Sequence, residues 1–86
     1  MNLATPEPDW AEVEGRILSL KARQIGAIAS AWFCGCLGGA STKRDRAHEM
    51  ATQMRHWWHE DTYYGLAPRQ RVANVLEMIA AEEARS

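Results

Sequence analysis

Five side chains in this sequence are metal-ligand types: Cys34, Cys36, His48, His56 and His59. Zinc-binding cysteines usually come in pairs separated by two to four residues, whereas a single residue, Gly35, separates these two. His56 and His59 are three apart and would share a helix face. However, His56 falls roughly 20 Å along a helix that begins near Ser41 or Thr42, at about 1.5 Å per residue, and the cysteines precede that start. A closed site would have to join distant ends. The expectation is no metal and no cofactor, with exposed histidines and small thiols filling space where a helix ends.

Acid–base chemistry has one candidate pair, His56 and Glu60, at the i, i+4 spacing. The chain holds no Gly-x-Ser-x-Gly and no complete phosphate-cradling glycine loop; Gly38-Gly39 before a helix is the nearest approach. No reaction class can be assembled from these residues, so the expectation is a non-enzyme.

Two other sets suit binding. Lys43, Arg44 and Arg46 crowd the first turn of a helix, where cations oppose the helix dipole. Phosphate contact is one use for such a cluster, because arginines and helix-terminal amides both bind phosphate. The other use is a solvated cluster paired with Asp45 or with the acidic N-terminal segment. The second set is aromatic: Trp57-Trp58 and Tyr63-Tyr64 bracket His59-Glu60-Asp61, and four tryptophans in 86 residues is a high density. Trp, Tyr and Arg dominate binding hot spots. Arg55, Trp58, His59, Tyr63 and Tyr64 are therefore the expected partner-binding residues, with Trp57 or Trp58 turned into the core.

Three helical patterns must position these groups. Helix 9–34 opens at Asp9, an N-cap with Glu12 three residues on. Along it runs a stripe of Trp10, Val13, Ile17, Leu20, Gln24, Ala27 and Ala31, and beside that a second stripe of Leu18, Ile25 and Trp32. One buried side does not need so wide an apolar arc. The second stripe is the expected homodimer interface; the other reading is a central helix covered on both sides by its own chain. Helix 42–61 carries Ala47, Met50, Ala51, Met54, Trp57 and Trp58 on one face. Helix 68–84 starts with Pro68 and buries Val72, Val75, Leu76 and Ile79, with Arg69, Arg71, Glu77, Glu82 and Glu83 solvated.

These elements predict an all-α, three-helix bundle, one domain over 1–86 with a flexible segment at 1–8. Ten Lys and Arg against eleven Asp and Glu leave a net charge of −1, which excludes a polybasic binder and an acidic DNA mimic. Charge is uneven along the chain. Glu7, Asp9, Glu12 and Glu14 face no basic residue before Arg16, and most cations follow between Arg16 and Arg55. Two cysteines one residue apart do not make a disulfide scaffold. The start is not a signal peptide, and the uncharged stretch 24–42 is interrupted by glycines, so the chain is expected in the cytoplasm, away from membranes. The function expected is protein binding, as an adaptor or inhibitor docked on a larger protein. A nucleic-acid accessory protein using the basic helix start is the alternative.

Overall fold

The computed structural model describes residues 6–33, 42–60 and 66–85, and within them every regular element is a helix. There are four: α1 (Trp10–Leu18), α2 (Ala22–Trp32), α3 (Lys43–His59) and α4 (Leu66–Arg85). The expectation of three helices with a long first one is corrected: helix 9–34 is broken after Leu18.

The break has a local cause. The Ser19 N–H reaches back to the Gly15 and Arg16 carbonyls, its hydroxyl donates to Arg16 O, and Leu20 N–H bonds Ile17 O in a tightened last turn. Lys21 is then extended. Its N–H donates to Gln24 Oε1 at 2.8 Å, half of a capping box that starts a new helix. Leu20 packs into the core and anchors the turn.

The break also explains the doubled stripe. Val13, Ile17 and Leu20 from the first stripe are buried. Beyond the turn the buried face becomes Gln24, Ile25, Ile28 and Ala29, while Ala27 and Ala31 point to solvent. Two apolar rows on one supposed helix are thus the single inner faces of two helices in different registers.

The other boundaries follow ordinary capping chemistry. Asp9 Oδ1 accepts from the Ala11 and Glu12 amides at the start of α1. Thr42 Oγ1 accepts from Asp45 N–H at 3.0 Å at the start of α3. Pro68 sits inside the first turn of α4 rather than at its first position, where its missing N–H is still harmless.

Helix directions follow from side-chain contacts. Trp10 meets Trp58 while Glu14 meets His48, so α1 runs antiparallel to α3. Gln24 meets Glu82 while Arg71 meets Trp32, so α2 runs antiparallel to α4. Arg69 over Trp58 and the Arg16–Glu83 bridge make α4 a companion of α1 in direction. Between them lies a single core of Ile17, Leu20, Ile25, Ile28, Met50, Met54, Val72, Val75 and Ile79, each essentially inaccessible to water.

Ile25 therefore has no surface to give to a partner. Of the expected dimer residues, only Leu18 and Trp32 are half-buried. They end α1 and α2 respectively, at opposite ends of the bundle, and form no common face. Glu82, expected in solvent, is 4% exposed; its carboxylate accepts from Arg85 and its carbonyl from Gln24. No described helix is long and apolar enough to cross a membrane.

Candidate functional site

The helix directions sort the chemistry to two ends. The start of α1, the ends of α2 and α3 and the start of α4 meet at one end, bringing together Trp10, Trp32, Phe33, Trp57 and Trp58. Trp58 and Trp10 contact edge to face with centroids 6.4 Å apart. Phe33 stacks on Trp57 at 5.0 Å, with planes 19° apart. Arginines lie over both neighbouring indoles, Arg69 Cζ 4.9 Å from the Trp58 centroid and Arg71 Cζ 4.2 Å from that of Trp57. Arg71 also donates to the Trp32 carbonyl at 3.0 Å, which helps hold its guanidinium over the ring.

Glu7 ties the segment before α1 to this end. Its Oε2 accepts from Trp10 Nε1 at 2.6 Å and meets His59 Nε2 at 2.7 Å. These two hydrogen bonds, the one from Trp10 first, hold the Glu7 carboxyl below its usual range.

The expected partner-binding residues divide. Arg55 and His59 are exposed at this end. Trp58 is not: at 7% exposed it belongs to the core, because it continues the 47, 50, 51, 54 face. Trp57, one position round the helix, is the half-buried one. Tyr63 and Tyr64 lie outside the described residues. Arg69 and Arg71 are exposed, as the sequence suggests, but sequence reasoning missed their contacts with the indole rings and did not use Phe33. The available signal was the arginine pair straddling the first turn of α4 beside a Trp-Trp step.

The opposite end gathers the start of α2 and the start of α3. Lys43 and Arg44 are exposed and Arg46 half-buried. Lys43 and Arg46 line a cleft of about 130 Å³ with Ala22 and Ile25. A larger cleft of about 390 Å³ is lined by the first turn of α2 and the end of α4, with Lys21, Arg23, Glu82 and Arg85 as its charged residues. Arg16 is engaged elsewhere, in a two-pronged pair with Glu83 at 3.0 and 2.7 Å. That pairing raises the Arg16 pKa and lowers that of Glu83.

The other chemical candidates stay apart. Among the described residues no three His, Cys, Asp or Glu side chains converge. His48 pairs with Glu14 at 3.2 Å, and His59 with Glu7. His56 and Glu60 are exposed and share no hydrogen bond. Cys34, Cys36, Gly38, Gly39 and Ser41 lie outside the described residues.

Comparison with protein-family models, curated proteins and solved structures finds no match. The functional reading therefore rests on this geometry.

Proposed function

We propose that the protein is a non-enzymatic binding module that acts in the cytoplasm and docks its aromatic end on a larger protein, as an adaptor or an inhibitor. The observation that carries this reading is the arginine-covered aromatic end. Trp10, Trp32 and Trp57 remain partly exposed there, with Arg71 over the Trp57 ring and hydrogen-bonded to the Trp32 carbonyl. Large rigid rings and arginines fixed in advance lose little conformational freedom on binding, which is why such residues dominate interface energetics. Arg55 and His59 supply a polar rim beside them, as interfaces commonly have.

Compared with the sequence-based set, the reading gains Trp32, Trp57 and Arg71 and gives up Trp58. Self-association through the first helix is the narrower part of the proposal, and Leu18 and Trp32 cannot supply it together.

Site-specific photo-crosslinking in cells tests the reading. A crosslinking residue in place of Trp32 or Arg55 should trap one protein larger than this chain. The same residue in place of Gln53 or Ala80, both exposed elsewhere, should not. Trp57→Ala and Arg71→Ala should each reduce the adduct at least fivefold, the effect of losing about 1 kcal/mol at a hot spot. Equal trapping from all four positions, or adducts only between copies of this chain, would refute the docking reading.

A further inference from the structure

We infer that the end of the bundle opposite the tryptophans binds the phosphate backbone of a nucleic acid. The inference does not depend on the docking reading, because it uses different residues at the other end of every helix.

The cations of the molecule fall into two groups. Arg16 and Arg85 are tied to Glu83 and Glu82, and Arg69 and Arg71 lie on indole rings. Of the remaining cations, which make no ion pair among the described residues, Arg55 stands exposed at the aromatic end, and Lys21, Arg23, Lys43, Arg44 and Arg46 are the rest. These five come from two segments twenty residues apart, and four of them, Lys21, Arg23, Lys43 and Arg46, line clefts that share one turn. The shared element is the first turn of α2, with Lys43 and Arg46 across one cleft and Lys21 and Arg23 beside the other. Asp45 is the only acid in the first turn of α3, and α2 has none in its first turn. Like charges held this close repel one another, and an anion placed among them relieves that repulsion.

Three features favour a phosphate polymer. Arg23, Arg44 and Arg46 carry forks that match phosphate oxygens, and the one carboxylate lining the clefts, Glu82, is engaged by Arg85. Two adjacent clefts offer a repeated site, which suits a ligand with a repeating anion. An acidic protein would need a large apolar anchor at the centre of the contact; only Ala22, Ile25 and Ala27 line these clefts, and Ile25 is inaccessible. The overall charge of −1 does not forbid this: Glu7 lies at the other end with His59, and at this end Glu82 and Glu83 are paired with Arg85 and Arg16.

Fluorescence anisotropy with labelled 20-nucleotide single-stranded and duplex probes tests the inference across a salt series. Five contacts should give a plot of log affinity against log salt with a slope near −3.5 for the single strand and about −4.5 for the duplex. The combined variant Lys43→Ala, Arg44→Ala, Arg46→Ala should lose at least tenfold in affinity and flatten the slope by roughly 0.7–0.9 for each cation removed. Lys21→Ala with Arg23→Ala should lose affinity in the same way, and it serves as the primary variant if the triple variant melts early by circular dichroism. Arg55→Ala, at the other end, should stay within twofold of the parent. No binding at low salt up to about 100 µM protein, the weak limit of non-specific binding, would overturn the inference. So would equal loss from Arg55→Ala. Displacement of the probe by polyglutamate as readily as by unlabelled oligonucleotide would show that the surface takes acidic protein instead.

Discussion

Trp57 and Trp58 are neighbours in sequence and chemically identical, so they make a controlled comparison of burial. One helical step of about 100° separates them. Trp58 is 7% exposed and packs on Trp10; Trp57 is half-buried. A tryptophan buries roughly 150–250 Å², and at about 25 cal/mol per Å² the loss of Trp58 removes about 4–6 kcal/mol, overlapping the roughly 3–5 kcal/mol seen for aromatic-to-alanine changes in cores. The edge-to-face contact with Trp10 adds about 0.5–1.5 kcal/mol. An 86-residue domain has a total stability of only about 4–13 kcal/mol. Trp58→Ala should therefore lower the melting midpoint by about 15–30 °C, at roughly 4–8 °C per kcal/mol for a chain this size, or unfold the protein outright. Trp57→Ala should cost clearly less, since its ring is partly exposed and Phe33 and Arg71 can close over the gap. Thermal and urea melts followed by far-ultraviolet circular dichroism measure both. If Trp57→Ala costs as much as Trp58→Ala, or if Trp58→Ala costs under about 1 kcal/mol, the assignment of Trp58 to the core is wrong.

Two further outcomes follow from local geometry. Gly15 and Gly26 lie inside helices with nothing within 4 Å of an added Cβ, so Gly15→Ala and Gly26→Ala should each stabilise by about 0.5–1 kcal/mol; a lowered midpoint would mean that another surface packs there. Glu83, whose carboxyl is held below the ordinary 4.5 by Arg16, stabilises the fold above that pH and loses its contribution as pH falls through the depressed folded value. Because both partners are about one-third exposed, Glu83→Gln should cost only about 0.5–1 kcal/mol at neutral pH and should flatten the loss of stability below pH 4.5 in melts taken along a pH series.

Much of the fold is written in local signals. Asp9 and Thr42 cap the helices they precede, and the 47, 50, 51, 54, 58 spacing gives the inner face of α3 directly. The break at Ser19–Lys21 was harder to see because no glycine or proline marks it. Its trace is a polar residue, Gln24, standing in an apolar stripe, where it caps a helix and donates to the Glu82 carbonyl. The site was less legible for a different reason. Which charges cluster depends on helix direction, and direction is set by contacts such as Trp10–Trp58 that join distant parts of the chain. That Lys43 and Arg46 line a cleft against the same turn of α2 that carries Lys21 and Arg23 is invisible until α2 and α3 are known to run side by side in the same sense.

The packing of α1 has a consequence for synthesis. This helix packs chiefly against α3 and has few contacts with α2, its neighbour in the chain. Val13 and Ile17 therefore stay uncovered until the chain has been extended through Trp58. At about 5–20 residues per second, the interval from Leu18 to His59 lasts about 2–8 s. Throughout it the growing polypeptide displays two short amphipathic helices that cannot bury their apolar sides against each other. The early chain thus exposes apolar faces to any factor that shields nascent hydrophobic segments until α3 gives both helices a common partner, and the core closes only when α4 adds Val72, Val75 and Ile79.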